Sequence, residues 1–319
     1  MNPRPLALCA LLSALPLPPL RAQKVPLEDR SGRILQLIDV HALVHTGHEP
    51  ADEVAPMADR LRELAAFARG FLALQPGEDL QPLGERYLAV LARPELAAQV
   101  EQMVRGAMRD RERTVLVAID LIELPVDTAT AVLQPWFAGK TPQDKAPLRA
   151  VLAKDALDKA GAALQTAKDA RKVTAPRLAV RSFQVGSIFV GDKISYIRDF
   201  EIKPSPTGKI ADPVVDTVWD GTEVKIAVAR QDQDQLMLQC DVTVQKVEQP
   251  IAEFKTTLGV GTPLSIQLPQ VSSVRLNQKA VAPDGGGVLL AAARGDGTWL
   301  CAVVRAGTMA EGPGQRPDK

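Results

Sequence analysis

The sequence is poor in aromatic residues, histidine and cysteine, and it has no excess of charge of either sign. Aromatics make up 4% of 319 residues, histidine and cysteine occur three times each, and 38 basic side chains balance 38 acidic ones. The chain contains no basic stripe interleaved with aromatics and no polybasic segment. We therefore expect that it binds neither nucleic acid nor an anionic membrane surface. The hydrophobic share of 46% suffices for two modest domains with aliphatic cores.

Motifs of common catalytic and phosphate-binding sites are also missing. The chain has neither G-x-S-x-G nor G-x-x-x-x-G-K-[ST]. Asp212, Asp216 and Asp220 recur every four residues, which does not match the one, three, five spacing of a calcium loop. The glycines of 258–263 and 284–287 fit turns between strands. We therefore predict no enzyme, no catalytic residue and no cofactor.

All three histidines, His41, His45 and His48, lie in the stretch HALVHTGH. On one helix they would stand at i, i+4 and i+7 and could reach a single metal ion, whereas on a strand His48 would point away from the other two. The apolar segment 33–43 predicts a strand, and a Gly-Pro loop follows it. We predict solvated histidines without metal, and a loop that gathers them around an ion is the alternative.

The N-terminus has the pattern of a secretory signal peptide. Arg4 precedes an apolar run to Leu20, and the small residue Ala22 follows at a plausible cleavage point. We predict that residues 1–22 are removed on export, which takes away Arg4 and Arg21 and leaves 36 basic against 38 acidic side chains.

Two cysteines remain in the mature chain, Cys240 and Cys301. An oxidising compartment would allow them to form a disulfide, and two buried free thiols on separate strands are the alternative. The sequence leaves both possibilities open.

Residues 24–112 are predicted to form a small α+β domain. A strand over 33–43 is followed by a helix within 51–73, a second strand from Tyr87 and a second helix from Pro94 to about Arg111. This βαβα order places helices on one face of a short sheet.

Residues 113–310 are predicted to form a β-rich domain with a helical segment. RTVLVAIDLIELP alternates as a strand, 126–174 is expected to be largely helical, and β patterns follow. The clearest pattern is a hairpin within 222–244 that places Cys240 on its apolar face. We predict a short proline-bearing link from Ile202 to Asp220 and a disordered tail at 311–319.

Four segments follow one another along the chain: RTVLVAIDLIELP, TAPRLAVRSFQVGSIFVGDKISYIRDFEI, DGTEVKIAVARQDQDQLMLQCDVTV and IQLPQVSSVRLNQKAVAPDGGGVLL. In this order they resemble the secretin domain of type II and type III secretion channels and type IV pili. ERYLAVLARPELAAQVEQMVRGAMRDR is similar to the ring-building domain that precedes it in secretins. The family's landmark positions fall on Pro176, Gly186, Gly191, Tyr196, Gly221, Pro269, Pro283, Asp284 and Gly285.

The resemblance implies a homo-oligomer that acts as a channel or scaffold for protein secretion, without catalysis. It implies other secretion-system or envelope proteins as partners and a place in the periplasm or outer membrane. Two other functions remain open. One is a monomeric periplasmic adaptor with the same fold, and the other is an exported metal-dependent enzyme built around His41, His45 and His48.

Overall fold

A computed structural model describes residues 32–44, 57–109, 113–137, 147–206, 208–232, 234–257 and 263–309. In chain order the helices and strands are β1 (Ile34–Asp39), α1 (His41–Val44), α2 (Met57–Arg69), β2 (Asp79–Leu83), β3 (Tyr87–Ala92), α3 (Pro94–Arg109), β4 (Thr114–Pro125), α4 (Val126–Leu133), β5 (Leu148–Leu152), α5 (Lys154–Thr166), β6 (Arg171–Thr174), β7 (Arg177–Arg181), β8 (Val185–Ser205), β9 (Gly208–Asp232), β10 (Gln235–Val247), β11 (Ala252–Thr256), β12 (Leu264–Leu268), β13 (Val271–Pro283), β14 (Gly287–Ala293) and β15 (Thr298–Thr308). The α+β class predicted from the sequence is confirmed.

The first unit is a three-stranded antiparallel sheet, in the order β1-β3-β2, packed against α2 and α3. Helix α3 buries Leu96, Val100 and Val104, which recur at helical spacing and face the sheet. The sequence did not predict β2, because only Leu80 of its five residues is buried and the strand has no clear alternation.

The predicted strand over 33–43 ends earlier than expected. The Asp39 carboxylate accepts a hydrogen bond from the His41 backbone N–H at 3.0 Å, and this local turn diverts the chain into α1. His41 is therefore half-buried on a short helix rather than on a strand. His45 and His48 lie outside the described residues.

Two larger antiparallel sheets form the second unit. One has six strands in the order β5-β14-β15-β4-β6, with β7 also paired to β4, and the other has four strands in the order β13-β10-β9-β8. They pack face to face over an aliphatic core that includes Ile119, Ile226, Leu238, Leu290 and Leu300. Such a core needs no aromatics, as the composition predicted.

Each sheet also buries its other face. Helices α4 and α5 cover the six-stranded sheet around Trp299, and Ala227, Ala229 and Met237 of the four-stranded sheet belong to the core of the first unit. The four-stranded sheet thus lies between the six-stranded sheet and the first unit.

Residues 126–174 are less helical than the sequence suggested. Beside α4 and α5 they contain β5 and β6, which pair with β14 and β4. The amphipathic pattern of this region does not reveal these strands, because partners that are distant in sequence stabilise them.

The predicted link from Ile202 to Asp220 is also wrong. β8 continues to Ser205 and β9 begins at Gly208, so these residues form the far end of one long hairpin. Pro204 and Pro213 lie between Gly221 and the hairpin tip, in the part of the hairpin that does not pair with β10. The ribbon has open edges there, and an open edge tolerates proline.

Cys240 and Cys301 are both free and buried. Cys240 lies in the core between the two large sheets, whereas Cys301 lies under the helices on the other side of the six-stranded sheet. A sheet separates the thiols, which excludes a disulfide within this fold. The free-thiol alternative is the one that the structure adopts.

Candidate interaction surface

The four-stranded sheet ends in two edge strands, β8 and β13, and neither pairs in a ladder on its outer side within the described residues. β8 is 21 residues long and β13 is 13 residues long. Natural proteins usually keep exposed edge strands short, because open N–H and C=O groups recruit another strand. These two edges are therefore the first candidate surface for a partner.

The far end of the β8–β9 hairpin, residues 192–220, extends past the rest of the sheet as a two-stranded ribbon. The β9 residue that pairs with β10 nearest the hairpin tip is Gly221, opposite Gln245. At about 3.3 Å per residue, the projecting part is about 40 Å long. A two-stranded ribbon of this kind has little stability alone in water.

The two faces of this ribbon differ. Cross-strand pairs place Phe200 opposite Pro213 and Ile202 opposite Ala211 on an apolar face. The other face carries Asp212 and Asp216, which form ion pairs with Lys203 at 2.7 Å and with Arg198 at 3.2 Å. These charges are exposed, so each pair adds little stability.

Exposed apolar side chains are concentrated on the two hairpins of this part of the molecule. Of the fourteen large hydrophobic side chains that are exposed among the described residues, eight lie on β8–β9 or β11–β12. They are Val185, Phe189, Val190, Ile202, Ile210, Val215, Phe254 and Leu268. Exposed apolar side chains make these two hairpins candidates for contact with protein or lipid.

Gly191 and Gly221 face each other where the ribbon leaves the sheet. Their φ angles are +159° and +151°, and a Cβ on either residue would overlap the partner strand's backbone. Glycine is needed at both positions because the two strands approach more closely than side chains allow.

A cleft of about 350 Å³ lies at the opposite edge, along β13. Arg149 of β5 reaches this edge and donates from Nη2 to Asn277 Oδ1 at 2.9 Å, and Gln278 and Lys279 also line the cleft. Arg275 is paired with Asp241. The β13 edge is therefore basic and polar.

Comparison with protein-family models gives no match, and comparison with curated proteins gives none either. Solved structures do match. The type IV competence pilus secretin PilQ of V. cholerae is 12% identical, with 89% of this chain and 79% of that chain covered and a TM-score of 0.31. The secretin InvG of the Salmonella SPI-1 type III secretion injectisome is 11% identical, with 91% and 90% covered and a TM-score of 0.32.

PilQ and InvG are secretins. Aeromonas hydrophila ExeD is a further match, at 11% identity and a TM-score of 0.33, and this chain spans 60% of the ExeD chain. The secretin family is the one that the four sequence segments resemble. The likeness is distant by both identity and TM-score.

The secretin landmark residues fall on strands and turns around the two edges. Gly186, Gly191 and Tyr196 lie on β8 and Gly221 lies on β9. Asp284 accepts a hydrogen bond from the Thr308 N–H at 2.8 Å, and Gly285 has a φ of +80° in the turn before β14. Pro176, Pro269 and Pro283 lie at or beside strand ends.

Buried carboxylates occur away from the edges and are fully paired. Asp120 lies 2.6 Å from Arg305 and 3.3 Å from Lys172, and Glu123 lies 2.6 Å from Arg294. Burial raises the pKa of Asp120, but Arg305 and Lys172 outweigh this effect and hold it below its usual range. The charge of Asp120 is therefore compensated within the six-stranded sheet.

Among the described residues, no group of three His, Cys, Asp or Glu side chains could hold a metal ion. His41 is the one histidine in that part of the chain, so metal binding by the three histidines together stays untested. None of the helices in the described ranges is both long and apolar enough to cross a membrane.

Proposed function

We propose that this chain is a subunit of a secretin-like homo-oligomer in the cell envelope. It serves as a channel or scaffold for protein secretion and carries out no catalysis. Residues 1–22 are removed on export, residues 24–112 form the ring-building unit, and residues 113–310 form the β-rich unit, followed by the tail at 311–319. Its other partners are secretion-system or envelope proteins, in the periplasm or at the outer membrane.

The observation that supports this proposal most directly is the pair of open edges. The four strands alternate in direction, so β8 and β13 run antiparallel to each other at opposite edges. The β13 edge of one copy can therefore pair with the β8 edge of the next in an antiparallel ladder. Repeating this contact by one rotation closes a ring in which no edge remains open.

The projecting ribbon supports the same proposal. Residues 192–220 have one apolar face and one charged face, and within the described residues neither face is buried in a hydrophobic core. A neighbouring copy would supply, at the base of the ribbon, the third strand that a lone two-stranded ribbon lacks.

The mass of residues 23–319, extracted in mild detergent and measured by size exclusion with light scattering, tests the proposal. We expect a closed assembly of many copies. Val190→Lys places a charge on the β8 edge and should prevent assembly. Val126→Lys is the matched control, since Val126 is exposed to a similar extent, 40% against 42%, and lies away from both edges.

A monodisperse monomer of the unaltered protein would contradict the proposal and favour the periplasmic adaptor. Mass spectrometry of the exported chain tests removal of residues 1–22. Fractionation of cells that express the protein separates a place in the outer membrane from one in the soluble periplasm.

A further inference from the structure

We propose that neighbouring copies pair through β13 of one copy and β8 of the next, with an offset of six residues towards the tip of the long hairpin. This inference rests on the proposed function and specifies its contact. It places Asp192 of one copy beside Arg149 of its neighbour.

The observed pairs define the positions of the strands without an offset. Asn277 pairs with Asp241, Asp241 with Lys225, and Lys225 with Ser187, so Asn277 and Ser187 lie at the same level of the sheet. By the same count Val281 lies level with residue 183, before β8 begins. A neighbour added at this level would leave the end of β13 without a partner and residues 194–196 of β8 uncovered.

A closed ring of tilted strands requires an offset. Four strands at a spacing of about 4.8 Å are about 19 Å wide, and a tilt of about 35–45° then shifts the register by roughly 13–19 Å, or about four to six residues. The offset must be even, because an odd one would place core-facing side chains opposite outward-facing ones. Offsets of four and six remain.

Side-chain chemistry distinguishes these two. With an offset of six, Val281 lies opposite Phe189, and both are exposed apolar side chains in the free chain, at 40% and 38%. Leu276 then lies opposite Ile194. With an offset of four, Leu276 lies opposite the Asp192 carboxylate, and Val281 lies opposite Ser187. Apolar cross-strand pairs stabilise a sheet, so six is the better match.

Charge favours the same offset. Asp192 lies directly opposite Asp220 on the neighbouring strand, and two like charges in such a pair repel. Within the part of the chain that the structure describes, the Asp192 carboxylate has no hydrogen bond or ion pair. An offset of six places it opposite Gln278, in the cleft that Arg149 lines. The Arg149 side chain is exposed and, among the described residues, makes one hydrogen bond, to Asn277, so its guanidinium can pair with the incoming carboxylate.

The chain's own structure limits how far the new ladder extends. The Ile197 backbone N–H donates to Gln267 Oε1 at 2.9 Å, so β12 already occupies the β8 edge at that position. An offset of six places Val274 opposite Tyr196, the last β8 residue before this contact. The ladder therefore extends from Ile188 to Tyr196.

Disulfide trapping in the assembled protein tests the register. Directly paired strand residues have Cβ atoms about 4.5–5.5 Å apart, close enough for a disulfide after a small movement. Val281→Cys with Phe189→Cys reports an offset of six, Val281→Cys with Ser187→Cys reports four, and Asn277→Cys with Ser187→Cys reports none. Ala280→Cys with Val190→Cys is a second reporter for an offset of six. This pair leaves Phe189 and its contact with Trp219 intact. Cys240 and Cys301 are buried and stay silent.

We expect ladders of linked chains on non-reducing gels for the two offset-six pairs alone. Ladders from either of the other pairs in an assembled protein would overturn the offset and leave the proposed function standing. If the unaltered protein is monomeric, the proposed function itself fails. In a separate test, Asp192→Arg or Arg149→Asp should each raise the protein concentration needed for assembly at least tenfold, and the double variant should restore it. Failure of the restoration would overturn the contact.

Discussion

The buried ion pair between Glu123 and Arg294 leads to a stability prediction that a matched variant can check. Their side chains are 10% and 7% exposed, and Arg294 Nη1 lies 2.6 Å from Glu123 Oε1. Arg294→Met removes the buried guanidinium, and of its described partners Glu123 keeps Arg171, whose side chain is 69% exposed, and Thr298. Breaking a buried pair costs about 3–5 kcal/mol. Because Arg171 remains, we expect a loss of about 3 kcal/mol in the free energy of unfolding.

Arg171→Met is the matched control, since it removes an exposed partner of the same carboxylate and should cost at most about 1 kcal/mol. Urea unfolding at one fixed protein concentration measures both losses, because assembly adds to the apparent stability. Tryptophan fluorescence, to which Trp299 contributes from its 1% exposed position beside this network, reports the transition. Equal losses in the two variants would refute the argument that burial strengthens the Arg294 contact.

Glu123 also predicts a pH dependence. Burial raises the pKa of Glu123, but Arg171 and Arg294 outweigh this effect and hold it below its usual range. A carboxyl group whose folded pKa is depressed stabilises the fold above its unfolded pKa, and the stabilisation is lost as the pH falls through the folded pKa. The stability difference between the unaltered protein and Glu123→Gln should therefore shrink as the pH falls below about 5. A difference that stays constant over this range would contradict the assignment.

Three further outcomes are expected. Gly191→Ala should lower the free energy of unfolding by about 1–3 kcal/mol, because the new Cβ overlaps the backbone of β9. Gly106→Ala on α3 should not lower it, because its Cβ would lie 3.8 Å from the nearest atom. Equal thermal midpoints for the two variants would contradict the overlap. Leu238→Ala, in the fully buried core, should cost about 2–5 kcal/mol in urea unfolding, against under 0.5 kcal/mol, roughly, for the exposed Leu268→Ala. Burial raises the pKa of the Cys240 and Cys301 thiols to about 12, so neither should react with a thiol reagent near pH 8 until the protein is unfolded; rapid labelling of the native protein would count against their burial.

Strong local patterns in the sequence predicted much of the fold. Tyr87 begins β3 as expected, the predicted strand at 113–125 is β4, and the predicted helix from Pro94 is α3. In each segment the apolar residues recur with the period of either a helix or a strand, and the flanking residues do not favour a different structure. The hairpin within 222–244 was predictable for the same reason.

The candidate surface was harder to predict, because its defining features depend on pairing between distant strands. Residues 202–220 contain prolines and charges that are typical of a link, and only an open edge permits them in a strand. That β8 and β13 are edges follows from the strand order, which no local pattern encodes. The relation between Asp192 and Arg149 requires register information across four strands, and a single sequence does not supply it.

Ala227, Ala229 and Met237 belong to the β-rich unit, yet they complete the core of the first unit. We therefore expect the two units on either side of residue 112 to unfold together. Calorimetry should record one melting event for both units. A fragment that starts at residue 113 would carry an uncovered apolar patch and would tend to precipitate, so gene truncations at this border are a poor route to either half.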